Sequence, residues 1–174
     1  NDIVNSLNKK GSKGVSINTK SKNIINVSPE DKRLGFVGVP KKINNETIEK
    51  IIRDNQIPVV APLGLGKNNQ TYNINGDTAA GAIAKSLNSR RLLLMTNVEG
   101  VLNKDKKLIS EISSSEILEM IKDETITGGM IPKINTCLDS VSNGVRGVVI
   151  MDGRKPHSIL NEIFSDDGAG TLIR

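Results

Sequence analysis

The chain holds 174 residues, with 24 Lys and Arg against 19 Asp and Glu, one His, one Cys and no Trp. That length suits one full-sized α/β domain or two small ones. A single Cys excludes a disulfide framework or an all-thiolate zinc site, and a single His leaves little for an imidazole metal centre, so no metal ligands are assigned. Aromatic residues make up only 2% (Phe36, Tyr72 and Phe164), which argues against the aromatic platforms of single-strand and RNA binders. Of the net +5, residues 1–56 carry 11 basic and 6 acidic side chains, and the remainder carries 13 of each. The excess is scattered Lys rather than a basic block, so no nucleic-acid partner is expected. No apolar run reaches membrane-spanning length, and the expectation is a soluble protein of a reducing compartment, cytoplasmic or an organelle stroma. The chain opens on Asn1 rather than Met, in helix-like sequence, as expected of a piece of a longer protein.

In chain order, residues 1–10 read as a helix with Ile3, Val4 and Leu7 on one face. Apolar pieces at 13–17, 23–27 and 34–39 read as hairpin-like strands. Asn45 to Asp54 is a helix with Ile48, Ile51 and Ile52 inward. Ile57-Pro-Val-Val-Ala-Pro62 is a buried strand with prolines at its ends. Residues 63–76, rich in Gly and Asn, form a functional loop or short hairpin. Asp77 to Leu87 is a helix of small residues suited to close packing, and Arg91 to Thr96 is a continuous apolar strand. Ser113-Ser-Ser-Glu116 has the form of a capping box. Further helices are expected around 132–143 and at 159–164, with strands at 147–151 and 171–173. Strand and helix alternate from residue 57 onward, predicting a three-layer αβα sandwich with a largely parallel central sheet.

Familiar nucleotide motifs are absent. Gly64-Leu-Gly66-Lys67 imitates the end of a P-loop, but Asn68 stands where a hydroxyl is required, and no G-x-G-x-x-G opens a βα unit. His157 follows Pro156 with no nucleophile pattern near it, so a structural or regulatory role is expected. Three places combine glycine, charge and element ends. At Asn73-Ile-Asn-Gly-Asp77, Asn75 and Asp77 both stand where a helix begins and can cap it, and Asp77 reads either as that N-cap or as a carboxylate orienting cationic side chains around an anionic substrate. The turn Thr96-Asn-Val-Glu-Gly-Val-Leu102 lies at the carboxyl end of an apolar strand, where α/β sheets bind ligands. There Gly100 is expected at positive φ. In Thr127-Gly-Gly-Met-Ile-Pro-Lys133, paired glycines before a helix let backbone N–H groups converge on a phosphate. Lys133 adds a mobile charge able to follow a migrating phosphoryl group.

These runs, Tyr72–Ala80, Met95–Leu102, Thr127–Lys133 and the ending Glu162–Ile173, with Leu34-Gly-Phe-Val-Gly38 and Pro58-Val-Val-Ala-Pro62, resemble acetylglutamate kinase, a member of the amino acid kinase superfamily. The resemblance is specific from residue 57 onward and looser before residue 34. It implies phosphoryl transfer from ATP, carried with Mg²⁺, to the side-chain carboxylate of N-acetyl-L-glutamate in arginine biosynthesis. It also implies that Lys133 and Asp77 are catalytic and that Asn73 contacts acetylglutamate. Thr96, Asn97, Val98, Gly100, Gly128, Gly129 and Met130 would hold the nucleotide. Arg91, a His-x-x-x-x-Glu pattern in His157 and Glu162, and Gly168 with Gly170 match the pattern of arginine-inhibited members, implying L-arginine as a feedback inhibitor and a homo-oligomer.

The sequence departs from the family in three respects. Asn97 stands where the family usually carries Asp, and Asn18-Thr-Lys-Ser replaces a Ser-Gly-Lys-Asp type of turn. The opening strand, Gly-rich loop and second catalytic lysine of the family are not found, nor are the Gly-Gly pair and Arg that grip acetylglutamate. The expected organisation is therefore a remnant of the acetylglutamate-binding lobe in residues 1–56 and an ATP-binding lobe in residues 57–174. Competing readings are a sister kinase acting on aspartate, carbamate or UMP, and a non-catalytic nucleotide-binding or arginine-sensing subunit.

Overall fold

The computed structural model describes residues 2–174, apart from the side chains of Lys32 and Asn68. They fall into two compact units, Asn1–Ser86 and Leu87–Arg174. Among the described residues four strand pairs are parallel and three antiparallel, within an α/β fold.

The first unit opens with α1 (Asp2–Lys9), whose Val4 and Leu7 lie against Gly14 at the start of β1 (Gly14–Ile17). Ile3, expected on the same inward face, is 65% exposed, because an eight-residue helix covers its strand along one narrow line. Asn18 shapes the following turn, its Oδ1 accepting the amides of Lys20 and Ser21 at 2.9 and 3.0 Å. β2 (Ile25–Pro29) and β3 (Gly38–Ile43) pair antiparallel. α2 (Asn45–Arg53) buries Ile48 and Ile51 but leaves Ile52 half exposed. The 3.6-residue period carries Ile52 past the edge of the buried stripe, so it is not a core residue as expected. β4 (Ile57–Val60) pairs parallel with β1; expected to be buried, it is exposed at Ile57 and only half-buried at Pro58, Val59 and Val60.

β5 (Leu63–Leu65) and β6 (Thr71–Asn73) form a hairpin beside β2 in the order β3-β2-β5-β6. The glycines that imitate a P-loop serve packing there. A Cβ on Gly64 would stand 2.8 Å from the Ile25 carbonyl oxygen, and one on Gly66 would stand 2.6 Å from the Tyr72 ring. Tyr72 in turn meets Phe36 edge to face, with centroids 5.9 Å apart. α3 (Gly76–Ser86) closes the unit, packing on β3 with Ala79, Gly81 and Ala84 inward. Its last residue, Ser86, donates to Asn45 Oδ1 at 2.7 Å, and Asn45 returns its amide to the Ser86 carbonyl.

The second unit is built on β7 (Leu92–Thr96), β8 (Glu111–Ile112), β9 (Val148–Asp152) and β10 (Gly170–Ile173), in the order β7-β9-β10-β8. β9 is buried along its whole length, as the unbroken apolar run requires, with β7 parallel on one side and β10 antiparallel on the other. α4 (Ser114–Lys122) begins at the expected capping box: Ser113 Oγ accepts the Glu116 amide at 3.3 Å while the Glu116 carboxylate accepts the Ser113 amide at 2.8 Å. α5 (Met130–Ser142) packs on β9 and β10 through Ile134 and Cys137. α6 (Ser158–Phe164) follows β9.

Candidate functional site

In the first unit, Ile74 is buried and anchors the junction of β6 and α3. Asn73 lies exposed at the end of β6, its amide donating to the Phe36 carbonyl at 2.8 Å. The cap of α3 is Asn75, whose Oδ1 accepts the amides of Asp77 and Thr78 at 3.0 and 3.2 Å. Asp77 is therefore not the N-cap that spacing alone allows. It is half-buried in the first turn of the helix, where a carboxylate complements the positive end of the helix dipole. Asn73 and Asp77 thus share one corner of this unit.

In the second unit, the carboxyl ends of β7 and β9 lie side by side, Thr96 opposite Asp152. The turn after β7 is held at its start by the Gly153 amide, which donates to the Thr96 carbonyl at 2.8 Å, and by the ion pair of Lys155 with Glu99. At its far side Gly100 adopts φ 150°, and a Cβ there would collide with the Thr171 hydroxyl, so the residue has both the expected positive φ and a space requirement. Between these ties Asn97 and Val98 face solvent, with the Thr96 hydroxyl 3.4 Å from Asn97 Oδ1. At the end of β9, Asp152 is almost fully buried and receives Arg154 through two guanidinium bonds at 2.9 and 2.8 Å and the Arg154 amide at 2.9 Å. These bonds hold the Asp152 carboxyl down at about 2. This strand end thus offers the polar groups of the exposed Asn97 and the half-buried Thr96 beside two cations, Arg154 and Lys155, each paired with a carboxylate.

Ahead of α5, Gly128 sits at φ 57° and Gly129 at φ −65°, and no side chain caps the helix. Open space surrounds both glycines where a Cβ would stand. Pro132 occupies the first turn, where a missing N–H costs least, and Lys133 follows it, half-buried. Met130, expected among the nucleotide contacts, is the first residue of the helix. The Met130 and Ile131 amides make long bonds to the Thr127 and Gly128 carbonyls, at 3.3 and 3.2 Å, and the positive end of the helix with a lysine one turn in is a setting that suits a phosphate.

Arg91, Glu162 and Gly168 come together around one cavity of about 300 Å³, shared with Glu111, Asp166 and Asp167. Glu162 accepts the Ala169 amide at 2.9 Å, and Gly168, at φ 70°, fits beneath the same carboxylate. His157 is not part of that lining; it sits in left-handed backbone at the start of α6. The cavity is rich in carboxylates and has the charge to receive a cationic ligand. Among the described residues no group of three or more His, Cys, Asp or Glu is placed to hold a metal ion, and no helix is long and apolar enough to cross a membrane.

Sequence reasoning missed Asp152, Arg154, Glu99, Lys155 and Thr171. For the first four a signal existed: Asp152-Gly-Arg-Lys155 ends a buried strand just as Thr96-Asn-Val-Glu99 does, and the strand-end rule applies to both. Thr171 had none, because its partners are distant in sequence.

The profile of the amino acid kinase family matches residues 2–152, and the chain belongs to that family. Acetylglutamate kinase of Pelagibacter ubique (strain HTCC1062) is 57% identical over 173 residues, covering 99% of this chain and 60% of that protein. The chain spans about 60% of the length of the curated relatives it matches. Among solved structures, smu.665 from Streptococcus mutans UA159 superposes with a TM-score of 0.80 at 34% identity, covering 97% of this chain and 64% of that one. N-acetylglutamate synthase from Neisseria gonorrhoeae, complexed with coenzyme A and N-acetyl-glutamate, gives 0.87 at 24% identity over 97% of this chain and 39% of that one, a likeness of fold alone.

Proposed function

We propose that this chain supplies the ATP-binding part of a cytoplasmic acetylglutamate kinase, in residues 57–174, with residues 1–56 belonging to the acetylglutamate-binding lobe. The observation that carries the reading is the 57% identity to an acetylglutamate kinase over nearly the whole chain. The reaction joins a side-chain carboxylate oxygen of N-acetyl-L-glutamate to the γ-phosphorus of Mg²⁺-bound ATP. The bond from that phosphorus to the bridging oxygen breaks, and ADP leaves. A loose phosphoryl transition state needs positioning and charge neutralisation rather than a protein nucleophile.

In this reading Lys133 neutralises charge on the migrating phosphoryl group, and the amides at Gly128, Gly129 and Met130 support the phosphates. The turn of Thr96, Asn97, Val98 and Gly100 holds the nucleotide. Asp77 orients lysines around the reacting groups, and Asn73 contacts acetylglutamate. Each assignment uses chemistry its position supplies: open glycine backbone and the positive helix end before α5, exposed polar groups after β7, a carboxylate at the head of α3.

The carboxylate-lined cavity at Arg91, Glu162 and Gly168 is read as a regulatory site for L-arginine, whose guanidinium Glu162 would receive. Self-association into a homo-oligomer is part of the same proposal, supported by the apolar side chains of Leu160, Ile163 and Phe164 exposed along α6.

The test is trapping of acyl phosphate by hydroxylamine, on this chain and on the natural polypeptide that contains it. Acetylglutamate, aspartate, carbamate and UMP are offered in turn, with ADP release followed in parallel. Activity with acetylglutamate supports the reading. Activity with aspartate and not acetylglutamate overturns the acceptor, and nucleotide binding without turnover in the natural polypeptide favours a non-catalytic subunit.

A further inference from the structure

Thr171 is fully buried in the middle of β10, and its hydroxyl is satisfied on both sides. It accepts the Val101 amide at 2.8 Å and donates to the Ile109 carbonyl at 2.6 Å. The Ile109 amide in turn donates to the Val101 carbonyl at 2.9 Å, so the two ends of the segment 101–109 are joined both directly and through this one hydroxyl. The space above the hydroxyl is reserved by Gly100, where a Cβ would collide with it. The other end of the turn is held separately, by Gly153 on the Thr96 carbonyl and by Lys155 on Glu99. Asn97 and Val98, the exposed residues between, therefore owe their placement to two clamps, of which Thr171 is the buried one.

We propose that Thr171 is a positioning residue, its hydroxyl fixing the Gly100–Val101 end of the turn that receives the nucleotide. The inference rests on the reading of residues 96–100 as a nucleotide site. A buried hydroxyl with both hydrogen-bond roles filled holds one geometry, since swinging away leaves an amide and a carbonyl without partners. Rigid placement of binding groups lowers the ordering cost of ligand capture.

The test compares Thr171→Val, which keeps shape and β-branching but removes the hydroxyl, with Thr171→Ser, which keeps the hydroxyl. The probe is a non-hydrolysable Mg²⁺-ATP analogue measured by calorimetry, alongside hydrogen exchange at the Val101 amide without ligand. Thr171→Val loses both hydrogen bonds of the clamp and is expected to raise the dissociation constant about tenfold, because the freed turn must be re-ordered on binding. It should also speed Val101 exchange, and Thr171→Ser should restore both. Thr171→Val with lowered thermal stability but wild-type affinity overturns the proposal, because it leaves Thr171 a packing residue only. Unchanged Val101 exchange overturns the clamp itself. A wild-type chain that binds no analogue overturns the nucleotide reading beneath it, a failure that the exchange measurement distinguishes from failure of the clamp.

Discussion

Arg154 grips Asp152 from two residues away, its Nε and a terminal nitrogen on separate carboxylate oxygens and its amide on one of them. The carboxylate is buried at the end of the central strand while the arginine remains largely exposed. The pair therefore fixes the direction in which the chain leaves β9, and with it Gly153 and Lys155, which brace the neighbouring turn.

This pair sets an acid limit on stability. The Asp152 carboxyl is held at about 2 in the folded chain, first by the Arg154 side chain and then by its amide, against an ordinary value of 3.8. A group depressed on folding contributes fully above its unfolded value and loses that contribution as pH falls through the folded one. Stability should decline between about pH 4 and pH 2, with Asp123, held at about 2 chiefly by the Thr125 hydroxyl, adding to the same slope. Urea unfolding across that range checks it: Asp152→Asn should be less stable near neutrality and show a shallower acid slope.

In the proposed reaction Lys133 is the charge that follows the phosphoryl group. Lys133→Ala should lower kcat by roughly 10²–10³, the usual effect of removing one transition-state donor. Affinity for the ATP analogue should fall far less. Steady-state kinetics on the natural polypeptide decide this, and a surviving rate removes Lys133 from the mechanism.

Gly100→Ala combines an unfavourable φ with a collision at a buried hydroxyl. The expected loss is about 3 kcal/mol, from strained backbone and overpacking together. Thermal unfolding measures it. Ala at Gly129, where φ is helical and the surroundings are open, should be nearly neutral for stability.

Glu162→Gln keeps an oxygen for the Ala169 amide and removes the charge beside Arg91. Arginine affinity, measured by calorimetry, should weaken about tenfold, because charge-assisted bonds to guanidinium are the stronger kind. His157→Ala should matter less, since His157 does not line the cavity.

Much of this was legible in the sequence where the cause was local. The capping box at Ser113, the buried run of β9 and the positive φ of Gly100 each follow from neighbouring residues. The choice between Asn75 and Asp77 as helix cap was not legible, because both side chains suit the role and the path of the chain out of β6 selects one. β8 has only two residues, too few for a periodic signal, and exists because β10 offers it a partner. Thr171 reads as an ordinary strand residue until Val101 and Ile109, 70 and 62 positions away, meet its hydroxyl.

Hydrogen exchange of this chain with and without a Mg²⁺-ATP analogue tests most directly whether residues 96–102 and 127–133 receive ATP. Slowed exchange is expected at the amides of Asn97 to Val101 and of Gly128 to Ile131, with little change in α1 or α2. Slowing confined to other segments, or none at saturating analogue, would contradict ATP binding there.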